Sequence, residues 1–236
     1  MATILKKIVI LGTTGSGKTT FLRNIAGQVD DAEVTRRVVI EEAQVLNTFT
    51  AIDKDLFKDS TTTVAMNVRN VLFATTMSNQ FRFFSISQNA NPEDWDELDN
   101  LFPTLIIDTA GQERFEFMQE IGVKGADAAL VFADGTNIQS IERIRHFCNI
   151  IQEEANRSGK TIPVAIFVNK KDLADKGYYV GKQPLEDLEN DHVGIYETTN
   201  TDPETFFPAL RQLLFQITGF PIDISQINIK SVREVY

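Results

Sequence analysis

The stretch LGTTGSGKTTF (Leu11–Phe21) follows directly on the apolar run KKIVI (Lys6–Ile10). A short, continuous run rich in Ile and Val reads as a buried strand. KTTFLRNIAG behind the glycines reads as a helix, with Phe21, Leu22 and Ile25 on one side and Gly27 as its stop. Gly12 and Gly17 let the chain curl until successive N–H groups point at one place, which is how a strand–loop–helix junction holds a phosphate. Thr14, Gly15, Ser16, Gly17 and Thr20 are expected to form this cradle. Lys18 would reach the β- and γ-oxygens of a nucleotide, and the Thr19 hydroxyl could ligate Mg²⁺. Such a loop serves ATPases, GTPases and kinases alike, so it fixes the fold class before it fixes the base.

Two further stretches narrow the choice. In LIIDTAGQERF (Leu105–Phe115), Asp108 stands at the end of an apolar strand, where strand C-termini face the ligand crevice. A carboxylate there can hold Mg²⁺ through a water, the Gly111 N–H can donate to a γ-phosphate, and Gln112 can orient an attacking water. In FVNKKDL (Phe167–Leu173), an Asp carboxylate after a buried strand can accept from the N1–H and exocyclic amine of guanine. Adenine lacks that donor pair, so Asp172 selects guanine by leaving its carboxylate unpaired with the wrong base. Asn169 would brace the loop or touch N7, and the Lys170 stem would lie along the base.

Working outward, apolar strands alternate with amphipathic segments along the chain. Strand-like pieces fall at 63–73, 80–87, 104–108, 125–134, 162–168 and 193–197, and helical periodicity at 137–157 and 203–217; PLEDLEND reads as a short helix. This alternation predicts an α/β fold, a parallel sheet covered on both faces. Neither an internal repeat nor a low-complexity tract occurs, so one domain over 1–236 is expected. Polar, expanded segments lie at about 28–60 and 74–102, and an extension at 219–236. The acidic stretch NPEDWDELDN (91–100) is expected to be a solvated loop, or a flap that docks partners.

The 236 residues are 42% hydrophobic and 24% charged, as in an ordinary globular protein. With 33 acidic against 23 basic side chains the net charge is −10, which argues against nucleic acid as a partner. Cys148 is the only cysteine, so a reducing, cytoplasmic setting is expected, with Cys148 buried as a small apolar residue. A membrane span and a lipid anchor are not expected, since the apolar runs are strand-sized, residue 2 is Ala and the tail SVREVY has no cysteine. His146 and His192 have no partner pattern and are assigned no role.

GTTGSGKT, DTAGQERF and NKKD, in this order, resemble the Ras-like small GTPases, with the likeness covering 6–27, 60–73, 103–172 and 193–218. The resemblance implies a P-loop NTPase G domain with a six-stranded, mostly parallel sheet and five helices. It also implies GTP or GDP with Mg²⁺ at the strand C-termini, and slow GTP hydrolysis that works a molecular switch. Lys18 and Thr19 become the phosphate and metal contacts and Asp108 the metal residue behind a water. Gln112 positions water; Asn169, Lys170 and Asp172 read guanine. A first-switch Thr should touch both Mg²⁺ and γ-phosphate, and Thr63 in STTTVAMNV fits best, Thr62 next. The Thr-Thr-Thr-Val-Ala form looks more like the small GTPases of archaea and bacteria than like animal Rab proteins. Effectors and a GTPase-activating or exchange partner are implied at the switches.

The chain departs from that pattern in two places. ETTNT (Glu197–Thr201) stands where the family has Glu-Thr-Ser-Ala-Lys, so Thr199 and Asn200 take the last base contact, the Asn200 N–H in place of that of Ala. Thr14 replaces a common phosphate-loop Gly near where an activator's arginine would reach, implying slow hydrolysis or an unusual activator. A nucleotide-binding module without turnover is the rival reading; an ATPase or nucleotide kinase is disfavoured by NKKD.

Overall fold

The computed structural model describes residues 6–26, 67–76, 81–85, 98–109, 111 and 116–219. Its described elements run in the order β1 (Lys6–Gly12), α1 (Lys18–Ala26), β2 (Asn67–Thr76), β3 (Phe81–Ser85), β4 (Leu98–Asp108), α2 (Glu116–Val123) and β5 (Ala128–Asp134). Then come α3 (Ile138–Glu142), α4 (Ile144–Ser158), β6 (Val164–Asn169), β7 (Val193–Glu197) and α5 (Phe207–Thr218). The strands form one sheet in the order β3-β2-β4-β1-β5-β6-β7. Five of them, β4-β1-β5-β6-β7, pair in parallel.

Alternation along the parallel strands builds two apolar layers, as the period of two in a strand dictates. Ile8 and Ile10, Leu130 and Phe132, Ala165 and Phe167 face the side covered by α1 and α5. Val9 and Leu11, Val131 and Ala133, Ile166 and Val168 face the side covered by α4. On the first side Phe21 lies 5.1 Å from Phe132, 5.6 Å from Phe167 and 5.0 Å from Phe206 between ring centroids. Tilted and edge-on pairs of this kind add about 0.5–1.5 kcal/mol each beyond area burial. Phe21 therefore locks α1, and with it the glycine loop, onto the sheet.

The other half of the sheet is larger than the family resemblance implies. β2 runs antiparallel to β4 from Asn67↔Asp108 to Thr76↔Leu98, and β3 runs antiparallel to β2. The described sheet has seven strands where the resemblance implies six, the added one being FRFFS (81–85), within the stretch 80–87 that reads as a strand. β4 begins at Leu98, so the end of the acidic 91–100 stretch is strand; residues 86–97 lie outside the described residues. Pro103 in β4 falls one residue before the pairing with β1 begins at Lys6↔Thr104.

The 137–157 periodicity is delivered as two helices with a break at Arg143. PLEDLEND is a 3₁₀ turn at Gln183–Leu188, and a 3₁₀ turn at Pro203–Thr205 precedes α5. The fold puts Gly12, Asp108, Asp134 and Asn169 at the C-terminal ends of four neighbouring strands. That shared edge is where the site lies.

Candidate nucleotide site

The glycine loop closes the turn from β1 to α1. Gly12, Gly15 and Gly17 have φ of 143°, 76° and 103°, values that side chains disfavour. Ser16 N–H and Oγ both donate to Thr13 O, at 3.3 and 2.8 Å. The Lys18 ammonium, almost wholly buried, donates to Gly12 O at 2.9 Å and Thr13 O at 2.8 Å. Burial pushes its pKa down to about 8, partly offset by the Asp108 carboxylate. A cation aimed across a loop of N–H groups at a helix N-terminus is suited to bind phosphate.

Thr19 and Asp108 come together beside the glycine loop. Thr19 Oγ1 lies 3.5 Å from Asp108 Oδ2, and Asp108 is fully buried. A hydroxyl and a carboxylate side by side form a hard-oxygen set that fits Mg²⁺, which uses few protein oxygens and keeps waters. Among the described residues there is no cluster of three or more His, Cys, Asp or Glu that could hold a metal. Gly111 packs onto the loop: a Cβ there would lie 2.6 Å from Thr14 N and 2.7 Å from Lys18 Nζ. Thr14, Gly15 and Thr20 are exposed on the outer side of the loop. Gln112 and Thr63 lie outside the described residues.

The NKKD and ETTNT segments are tied to the glycine loop directly. Asn169 Nδ2 donates to Ser16 O at 2.9 Å, the bracing role expected of it. Its Oδ1 accepts from the Asn200 N–H at 3.1 Å, so this N–H is engaged within the protein. Asn200 Nδ2 donates in turn to Gly17 O at 2.6 Å, a side-chain role that ETTNT did not announce. Gly17 is needed here twice, for its φ and because a Cβ would lie 2.2 Å from Asn169 Nδ2 and 2.4 Å from Asn200 Nδ2. Asp172 is exposed, and its N–H donates to Thr199 Oγ1 at 3.2 Å, joining NKKD to the loop after β7.

Three residues that the motifs did not flag complete the geometry. Lys170 is the one non-glycine with positive φ among the described residues, at 70°. Left-handed backbone costs a side-chain-bearing residue about 1–2 kcal/mol, so something must hold it. Its ammonium donates to Asp134 Oδ2 at 2.5 Å, and Thr136 donates to Asp134 Oδ1 from N at 3.0 Å and from Oγ1 at 2.6 Å. Burial raises the Asp134 carboxyl, but the bonds from Lys170 and Thr136 outweigh it and hold the group below its usual range. Ser140 on α3, buried, accepts from the Asp134 N–H at 2.8 Å and is hydrogen-bonded to the Thr13 hydroxyl.

Behind this edge Tyr179 straps the base loop. Its hydroxyl donates to Val168 O at 2.8 Å, and its ring lies so close over Gly135 that a Cβ there would sit 2.1 Å from it. On the other flank, α2 is joined to the α3–α4 break by Arg143 and Glu116. No described helix is long and apolar enough to cross a membrane.

Compared with known families, residues 98–202 match the Ras family. The match runs from β4 through the Asn169 and Asn200 segments, and the glycine loop precedes it.

Proposed function

This chain is a Ras-like small GTPase by family, and from that premise we propose that it hydrolyses GTP to GDP and phosphate and works as a nucleotide-dependent switch. The observation that carries the proposal is the joining of Asn169 and Asn200 to the carbonyls of Ser16 and Gly17, which makes base loop and phosphate loop one site. Lys18 donates to the β- and γ-oxygens and, with the loop N–H groups, stabilises the charge that develops as the bond to the γ-phosphorus breaks. Gln112 orients the water that attacks in line. Mg²⁺, held by the Thr19 and Thr63 hydroxyls with Asp108 behind a water, would supply charge neutralisation between the phosphates. Asp172 reads guanine and Lys170 lies along its plane, while Thr199 holds the Asp172 N–H and Asn200, its own N–H taken by Asn169, braces the glycine loop.

Loss of the γ-phosphate removes the contacts proposed for Thr63 and Gly111, so both switch segments relax and their partners leave. Effectors and regulators are proposed to bind there, in the cytoplasm.

The base assignment is tested with Asp172→Asn. Replacing the acceptor carboxylate by an amide should turn preference from guanosine towards xanthosine nucleotides, since xanthine offers an oxygen where guanine offers its amine. An unchanged preference for GDP over XDP would remove Asp172 from the base site.

A further inference from the structure

We propose that Asp134 and Ser140 are positioning residues that join the phosphate end of the site to its base end. The inference rests on the nucleotide-site reading above and extends it to residues outside the three motifs. Ser140 Oγ is hydrogen-bonded to Thr13 Oγ1 in the phosphate loop. It also accepts from Asp134 N at 2.8 Å, and the Asp134 carboxylate takes the Lys170 ammonium at 2.5 Å. The relay therefore runs from the loop that holds phosphate to the residue that lies along the base, through two side chains that need not touch nucleotide.

The placement of each member makes the relay consequential. Thr13 is the residue whose carbonyl receives the Lys18 ammonium at 2.8 Å. Any shift of Thr13 moves that acceptor, and with it the cation meant for the phosphates. Lys170 holds the one left-handed side-chain-bearing backbone among the described residues, so its position depends on the partner that grips its far end. Asp134 closes β5 beside Asn169, with which it is in register. Ser140 is buried at the start of α3, where a hydroxyl needs partners and has both. Loosening the phosphate end therefore loosens base discrimination, and the reverse.

The test compares GDP with IDP, which lacks the exocyclic amine that Asp172 is proposed to read. Dissociation constants for both are measured by competition with a fluorescent GDP, on wild type and on Ser140→Ala, Thr13→Val and Asp134→Asn. One hydrogen bond in such a network is worth several-fold in an equilibrium, so each variant should lower the GDP-over-IDP preference by about threefold or more. Ser140→Ala combined with Thr13→Val should lose no more than Ser140→Ala alone, because Ser140→Ala already removes the Thr13 contact together with that to Asp134 N. A general loosening would weaken both nucleotides equally and leave the preference unmoved. A preference within about 1.5-fold of wild type in the variants that fold would overturn the relay while leaving the GTPase reading intact. A wild-type protein that binds neither nucleotide would overturn both.

Discussion

Asn169 and Asn200 close on each other across the ends of β6 and β7, the Asn200 N–H donating to Asn169 Oδ1 at 3.1 Å. Each then spends its own amide on the phosphate loop, Asn169 on Ser16 O and Asn200 on Gly17 O. The asparagine side chain thus gives ETTNT a bond to the glycine loop that an alanine in its place would lack.

Asn200→Ala should remove one such bond, at a cost of about 1 kcal/mol, and speed GDP release roughly fivefold. Stopped-flow release of a fluorescent GDP measures it. Release at the wild-type rate would mean that the Gly17 contact does not bear on nucleotide.

Gly17→Ala should be far more harmful. The added methyl meets two carboxamides at 2.2 and 2.4 Å in a backbone of φ 103°. Overpacking and backbone strain together are expected to cost more than about 2 kcal/mol. Thermal melting of the nucleotide-free protein and GDP titration should both show it, whereas Gly15→Ala, with open space around it, should be milder.

Lys18 gives a pH signature. Its pKa is lowered to about 8 by burial, so the nucleotide-free protein has lost about half of this charge by pH 8. Phosphate favours the charged form, so GDP affinity should be level below about pH 7, bend near pH 8 and fall by up to about tenfold per pH unit above it. Stability of the nucleotide-free protein carries the opposite sign. Between pH 8 and the unfolded value of 10.5 the unfolded chain holds more protons, so this group's contribution rises with pH. Calorimetric titration and melting at pH 7 to 9.5 check both, and Lys18→Met should abolish the slope.

Arg143 and Glu116 join α2 to the α3–α4 break, with the carboxylate 41% exposed and His146 Nε2 3.6 Å from it. Solvent screening keeps such a pair under about 1 kcal/mol. Arg143→Ala should hardly shift the melting temperature, yet hydrogen exchange across Glu116–Val123 should quicken. Unaltered exchange there would show that the pair does not restrain the helix following DTAGQ.

The sequence carried the site where the chemistry is local. Strand, glycine loop and helix are consecutive in residues 6–26, so their pattern announces the phosphate end, and Asn169 and Asp172 sit three residues apart in one turn. Cys148 was expected to be buried and inert, and its half-buried thiol, pushed up to about 11 by burial, agrees with that chemistry. Asp134 and Ser140 were silent because they meet Thr13 of the glycine loop only after folding, from β5 and α3, with no spacing to betray them. The break at Arg143 was hidden for a related reason: Ile138, Ile141 and Ile144 keep a helical period across it, and burial alone cannot tell one helix from two. The seventh strand was visible as FRFFS, but its pairing with β2 is a tertiary fact.

The most direct test of the central claim is phosphate release by the purified protein with Mg²⁺, run in parallel on GTP and ATP. The account predicts slow release from GTP alone, lost in Gln112→Leu while GTP still binds. Equal release from ATP, or release from GTP that survives Gln112→Leu unchanged, would contradict it.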